Sequence, residues 1–289
     1  MKLVMSRKGF DTSSGGHPSP ILPAGMLRSL PIPQSDGLSS VKYAAIYSEN
    51  EYPTGDIVEA LTEGKVLADS LAHFDPDIDP NALTNRHSDW YGILGQSGAA
   101  QSHLENQGVD KNDLFLFFGL FRQTEGDAKN LKFAKGSPDI HSLWGWLQIG
   151  EIVRVDKNTA RQHPQHKDHP HVEFPEQEAN NTIYIAKRNL EIDGITKSLP
   201  GFGTFPVFDP KLQLTAPEAR NPSTWCLPRW FEGKLSYHSE ADRWSPCDGD
   251  KSRVMLDAVG RGQEFVCDIG DDTTAATDWL RDLFTCAKF

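Results

Sequence analysis

Leu114-Phe115-Leu116-Phe117-Phe118 and, further on, Leu143-Trp144-Gly145-Trp146-Leu147-Gln148-Ile149-Gly150-Glu151-Ile152-Val153-Arg154-Val155 decide how this chain folds. The first is a continuous apolar run of strand length, as expected of a strand buried on both faces. The second reads as a long strand broken by Gly145 and Gly150. Glycine inside such a pattern points to bulges or a sharp bend, as at the corners of small barrels. Lys2-Leu3-Val4-Met5-Ser6 and Thr182-Ile183-Tyr184-Ile185-Ala186 read as further strands. Additional strands are expected at 41–47, 212–214, 235–238 and 264–268. Ile57, Val58, Leu61, Val66, Leu67 and Leu71 recur at helical spacing and predict a helix over 56–72, with Thr54 as a candidate N-cap. Two more helices are expected at 97–107, starting near Ser97 and stopped by Gly108, and at 274–284. Residues 73–90 read as an acidic, proline-containing loop. The pattern predicts an α+β fold: a bent, mostly antiparallel sheet or small barrel flanked by a few helices. No internal repeat or domain boundary divides it, so residues 1–289 are expected to form a single domain.

Composition narrows the function classes. Of 289 residues, 38% are hydrophobic and 24% charged, which is globular rather than disordered. No apolar run approaches the ~18 residues of a membrane span. The apolar stretch at the amino end is too short for a signal peptide. Cys226, Cys247, Cys267 and Cys286 form no C-x-x-C pair, which argues against a zinc ribbon or a dense disulfide scaffold, and a cytoplasmic setting is expected. The net charge of -11 argues against non-specific coating of nucleic acid. Residues 1–34 nevertheless carry a net +3, and residues 153–171 carry +2 with four histidines. Local basic segments on an acidic body fit an enzyme that grips a few phosphates; they also fit an ordinary solvated surface.

Four constellations could carry chemistry. Ser6-Arg7-Lys8-Gly9-Phe10-Asp11-Thr12-Ser13-Ser14-Gly15-Gly16 leads a strand into a polar, glycine-rich turn. Such turns present backbone N–H groups to anions, and Arg7 and Lys8 add cations suited to phosphate. Asp11 is a candidate general base or stabiliser of developing positive charge. The competing reading has Asp11 capping its own loop through an Asx-turn. Gly95-Gln96-Ser97-Gly98-Ala99-Ala100-Gln101-Ser102-His103 places a turn before a helix, where N–H groups favour anions and the two glutamines could read a base edge. It lacks a Walker lysine, and an ordinary capped helix explains it as well. Arg161, His163, His166, Asp168, His169 and His171 form a histidine-rich run, but its spacing matches no metal motif and Pro164 and Pro170 interrupt it. No metal is expected, and the run reads as a nucleic-acid-facing or plain surface loop. Gly260-Arg261-Gly262-Gln263-Glu264 offers either an Arg261–Glu264 ion pair or a second catalytic carboxylate beside a phosphate or base contact. Tyr237 and His238 could face the same cleft. Trp144, Trp146, Trp225, Trp230 and Trp244 are either core or flat surfaces that stack an extruded base at ~1–3 kcal/mol each.

Taken together, residues 3–21, 95–109, 113–122, 145–152, 169–172, 235–238 and 260–266 resemble the nucleotide modification associated domain of type 3. The resemblance spans nearly the whole chain. It implies a link to phage and bacterial systems that make, read or attack modified DNA bases. Some proteins that look similar act as phage-defence DNA glycosylases directed at hypermodified cytosine. In addition, residues 113–121 followed by 144–155 are similar to the paired strands of the pseudouridine-synthase-associated barrel and its activating-signal-cointegrator relatives. Members of that superfamily bind flipped-out modified bases in an aromatic pocket.

The expectation is a DNA glycosylase excising a glucosylated or hydroxymethylated cytosine after extruding it from the helix. Asp11, then Glu264, would stabilise the sugar cation and activate water; Lys8 would instead form a Schiff base in a lyase route. Arg7, Lys8, Arg122 and Arg261 would hold phosphates or the leaving base. Gln96, Gln101, His103 and Tyr237 would read the base, with Phe10, Gly15, Gly16, Trp146, His169, His171, His238 and Gln263 completing the binding surface. The partner is DNA carrying modified bases; no cofactor, membrane or obligate protein partner is expected. Alternatives are a non-catalytic reader of modified bases and a base- or nucleotide-modifying transferase, the latter without support from a Walker loop or Rossmann fingerprint.

Overall fold

A computed structural model describes residues 1–34, 38–47, 52–84, 86–176, 179–195, 198–247, 249–260 and 264–287. Its strands are β1 (Lys2–Arg7), β2 (Ser19–Ile21), β3 (Ile32–Pro33), β4 (Ala72–His73), β5 (Ile93–Gln96), β6 (Leu114–Glu125), β7 (Lys132–Phe133), β8 (Ile140–Arg154), β9 (Thr182–Ala186), β10 (Phe202–Thr204), β11 (Thr224–Pro228), β12 (Trp244–Pro246), β13 (Arg253–Asp257) and β14 (Glu264–Asp268). The helices are α1 (Thr54–Leu61), α2 (Gly98–Asn106), α3 (Thr159–Gln162), α4 (Pro170–Glu173) and α5 (Thr273–Leu283).

The apolar runs 114–118 and 143–155 lie in β6 and β8, the antiparallel centre of a nine-stranded sheet ordered β14-β1-β6-β8-β9-β5. β2 and β7 pair with β6, and β10 pairs with β8. β1 and β2 run parallel to β6; the other pairs in this sheet are antiparallel. β11, β13 and β12 form a smaller antiparallel sheet. The fold is α+β around a bent sheet.

The two glycines of β8 sit at its two irregularities. Phe117 opposes Gly145 and Phe118 opposes Leu143, which leaves Trp144 as the extra residue. The β8–β9 register likewise shifts between Ile149 and Glu151, at Gly150, where a Cβ would stand 3.0 Å from Ala186 O. Bulges increase local twist and bend the strand. The sheet curls until its edge strands face each other, and the Gln96 side chain on β5 donates a hydrogen bond to Glu264 on β14. No backbone pairing joins β5 to β14 among the described residues. Of the two expected forms, the bent sheet is the one observed, and it is curled and open rather than closed into a barrel.

Phe118 packs at the centre, 5.0 Å from the Trp225 ring and 6.0 Å from Phe265. Trp146 is fully buried against Phe205 and Phe284. A second cluster under α1 joins Phe10, Leu22, Leu30, Tyr43, Ile57, Val58 and Leu61. The four cysteines are free thiols. No helix among the described residues is long and apolar enough to cross a membrane.

Several segments depart from their expected form for local reasons. The strand expected at 41–47 is a short 3-10 turn at Tyr43–Ala45, with the Tyr43 hydroxyl donating to Pro31 O. The helix expected over 56–72 ends at Leu61 because Thr62 donates to Val58 O and accepts from Val66 N, and Glu63 and Gly64 turn into positive φ. Residues 210–212 form a 3-10 turn, and at 235–238 a single bridge pairs Leu235 with Cys267 before Tyr237 reverses the chain at φ 65°. The histidine-rich run is a surface segment only in part: Arg161, Lys167 and Asp168 are exposed, while His166, His169 and His171 are buried.

Phe118→Ala is expected to destabilise the fold by about 3–5 kcal/mol, since it empties the junction of both sheets. Urea unfolding checks this, and a loss below about 1 kcal/mol would contradict the packing described.

Candidate functional site

β1 runs out at Arg7, where the chain must turn sharply to leave the sheet. Gly9 makes that turn at φ 95°, in a place where a Cβ would collide with Ser29 Oγ. Asp11 then closes the loop: its Oδ1 accepts from Ser13 N at 2.8 Å, Ser13 Oγ at 2.7 Å and Ser14 N at 2.7 Å. This is the Asx-turn reading of Asp11, and among the described residues Oδ2 accepts no hydrogen bond. Gly15 and Gly16 follow at positive φ, with the Phe10 ring tucked directly beneath Gly15. Arg7 donates to Gly260 O at 3.0 Å and Val259 O at 3.3 Å and lies over the Phe118 ring.

Below this loop sits Asp75, a buried carboxylate held from three directions. Lys8 Nζ stands 3.1 Å from Oδ2, His169 Nε2 lies 3.1 Å from Oδ1, and Gly95 N donates to Oδ1 at 2.6 Å. Burial alone would raise its pKa, but the Lys8 charge and the His169 hydrogen bond hold it well below the ordinary carboxylate range. His169 accepts from His171 N through Nδ1, so Nε2 carries the proton facing Asp75. His73 and His171 flank the carboxylate with ring centroids 5.4 Å apart. Burial is the main cause that lowers both imidazoles to about 4. These three, His73, Asp75 and His171, are the residues placed to hold a metal ion, with one ligand-type atom from each within 4.8 Å of the others.

Glu264 lies behind the cleft at the start of β14. Its Oε1 accepts from Ser6 Oγ at 3.0 Å and from Gln96 Nε2, while Oε2 is buried without a partner among the described residues. Burial pushes this carboxyl up to about 7, against the opposing charge of Lys8. It therefore exchanges a proton near neutral pH. The open space is a cleft of about 410 Å³, large enough for a base-sized ligand, with Arg7, Lys8, Asp11, Asp75, Gln96 and His171 on its walls.

The remaining expected residues are distributed as follows. His169 supports Asp75 from behind. Gln101 bonds Glu105 and Tyr184 inside the fold. His103 and Tyr237 stack on each other with centroids 4.3 Å apart, and neither lines the cleft. His238 accepts from Val259 N through Nε2 and so braces the segment that anchors Arg7. Arg122 pairs with Asp139 and lies over Phe133. Trp146 belongs to the core, Phe10 to the cluster beneath the loop. Arg261 and Gln263 lie outside the described residues. The residues that sequence reasoning missed are His73 and Asp75. Their signal was the spacing His73-x-Asp75, which puts both side chains on one face of an extended segment.

Because the folded Glu264 pKa of about 7 exceeds its free value of 4.5, the folded state binds the extra proton between these limits. Stability from this group is thus highest at low pH and falls as pH rises from 4.5 to about 7, by about 3 kcal/mol in all. Glu264→Gln keeps the accepting oxygen and cannot ionise. Urea melts at pH 5 and pH 8 should show a smaller loss across that interval than wild type; equal losses would mean the carboxyl is unperturbed.

A family model described as nucleotide modification associated domain 3 matches residues 2–268. No curated protein and no solved structure matches the chain. The match takes in β1, the loop after it, the Asp75 segment, β5, the histidine-rich run and β14, so every element of the cleft lies inside it. The chain belongs to the nucleotide modification associated domain 3 family.

Proposed function

We propose that the protein is an N-glycosylase that excises a modified base, most readily a glucosylated or hydroxymethylated cytosine, from DNA in the cytoplasm as part of anti-phage defence. The reading rests on the family's association with modified nucleotides. The observation that carries it beyond the family is a base-sized cleft with one rigid carboxylate, Asp11, on its wall and an unlike carboxyl, Glu264, buried behind the wall and joined to it through Gln96. Asp11 is held rigid by its turn with Oδ2 spare, and Glu264 is poised to exchange a proton near neutrality.

Breaking an N-glycosidic bond is helped by both properties. Positive charge develops on the sugar, and a fixed carboxylate opposite it lowers the barrier while orienting water. The departing base gains a proton, which a carboxylic acid with a pKa near the working pH supplies well. Arg7, whose two terminal nitrogens each keep an N–H beyond those given to Gly260 and Val259, supplies the phosphate contact that keeps the extruded nucleotide in place. Lys8 is engaged with Asp75, which favours water over an amine as the nucleophile. A second reading, a non-catalytic reader of modified bases, draws support from the use of Asp11 Oδ1 as the cap of its own turn.

Incubation with phage DNAs carrying different cytosine modifications, followed by assays for abasic sites and free base, tests the proposal. Abasic sites are expected with at least one such DNA, and Asp11→Asn is expected to lower turnover by about 10²–10⁴-fold with DNA binding retained. Glu264→Gln should flatten the pH–rate profile near 7. Borohydride should trap no covalent adduct; a trapped adduct would transfer the chemistry to Lys8. If no modified DNA yields either product while binding persists, the reader reading replaces the enzyme.

A further inference from the structure

The glycosylase chemistry makes no use of three side chains on the cleft wall. His73, Asp75 and His171 each offer one ligand-type atom within 4.8 Å of the other two. The surrounding hydrogen bonds determine which atoms remain available. Asn181 Nδ2 donates to His171 O at 2.9 Å and to Pro175 O at 3.4 Å, so the Asn181 atom 2.6 Å from His171 Nδ1 is the amide oxygen. It accepts the ring N–H and leaves the His171 lone pair on Nε2. Donation of one ring N–H to a fixed acceptor is the support that metal-ligating histidines commonly have. Gly95 keeps the space that this ring needs, since a Cβ there would run into it.

His73 contributes a different sign. Its Nδ1 is buried without a hydrogen-bond partner among the described residues. Buried ring nitrogens are ordinarily satisfied, so this one has capacity for a partner such as an ion. Asp75 retains capacity as well. Its Oδ1 accepts from Gly95 N and His169, and its Oδ2 accepts from Lys8, which leaves one lone pair of the four on the carboxylate.

We propose that His73, Asp75 and His171 bind one divalent first-row transition ion, of the Zn²⁺ or Fe²⁺ class, with its remaining coordination positions open to the cleft. Two imidazoles select against the hard cations Mg²⁺ and Ca²⁺, which take oxygen ligands. Three protein ligands with an open position is the arrangement of catalytic rather than structural metal sites. The site draws on a single member of the histidine-rich run, His171. His169 instead orients Asp75 from behind. The ion would present a positive centre to an oxygen of the nucleotide, or of a sugar attached to its base.

Protein stripped with a chelator and desalted is titrated calorimetrically with ZnSO₄, CoCl₂ and MgCl₂, and with FeSO₄ under anaerobic conditions; elemental analysis gives the bound stoichiometry. One equivalent of Zn²⁺ or Co²⁺ per chain is expected, with visible cobalt bands of nitrogen and oxygen coordination, and no Mg²⁺ uptake. Competition of Fe²⁺ against Zn²⁺ distinguishes the two ions. Asn181→Ala should weaken binding by about 10–100-fold. The His73→Ala, His171→Ala double variant should abolish it. If that variant does not fold, NMR of ring-labelled wild type locates the site, since Zn²⁺ must shift the ring nitrogens of two histidines. A wild type that takes up no Zn²⁺ or Co²⁺, binds Mg²⁺ equally, or shifts no histidine ring overturns the proposal. No DNA enters these measurements, so their outcome is independent of whether a base is excised.

Discussion

Asp75 holds a negative charge almost withdrawn from water at the base of the cleft, and four separate parts of the chain converge to keep it there. Lys8 comes from the end of β1, Gly95 from β5, His169 from the turn before α4, and Asp75 itself from the segment after β4. Removing one partner of such a buried pair is costly, about 3–5 kcal/mol, because the other charge is left unmatched. The pair therefore ties the loop of the first strand to the far edge of the sheet. It also sets the floor of the cleft, since Lys8 and Gly95, two of the groups that hold Asp75, line it.

The curl of the sheet makes this convergence possible. β14 and β5 stand at opposite ends of the strand order, yet Glu264 and Gln96 touch. Two bulges on β8 supply the extra twist, at positions where glycine permits a close approach of backbone. A closed barrel would have satisfied its edges with backbone hydrogen bonds. The open gap is bridged by side chains instead, and these side chains are titratable or polar. Burial without full pairing is what moves the Glu264 carboxyl into the neutral range.

The cleft thus sets side by side two cations, a rigid carboxylate and a cluster of two imidazoles with one carboxylate, with the Glu264 carboxyl buried behind its wall. Membership of a family tied to nucleotide modification gives that arrangement a substrate class. An acidic protein with few cations at its cleft, Arg7 and Lys8, suits a partner gripped at a few phosphates rather than along its length.

Strand positions in the middle of the chain were legible without coordinates. β9 and β14 match their expected bounds, α2 begins after Ser97, and the glycines of β8 mark real bulges. These features rest on local periodicity and on glycine's freedom, which neighbours in sequence suffice to express. The loop bearing Arg7, Lys8 and Asp11 and the turn bearing Gln96 were legible for the same reason, as runs of unusual local composition. His73 and Asp75 were not, because a short H-x-D in an acidic loop has no periodicity to distinguish it, and its meaning lies in partners far along the chain. Nor could composition show that His169 and His171 are interior while Tyr237 is exposed. Which polar side chains share a cavity, and which of them lose their water, depends on contacts between distant segments. Burial and charge pairing then set their chemistry, and both are properties of the assembled fold rather than of any stretch within it.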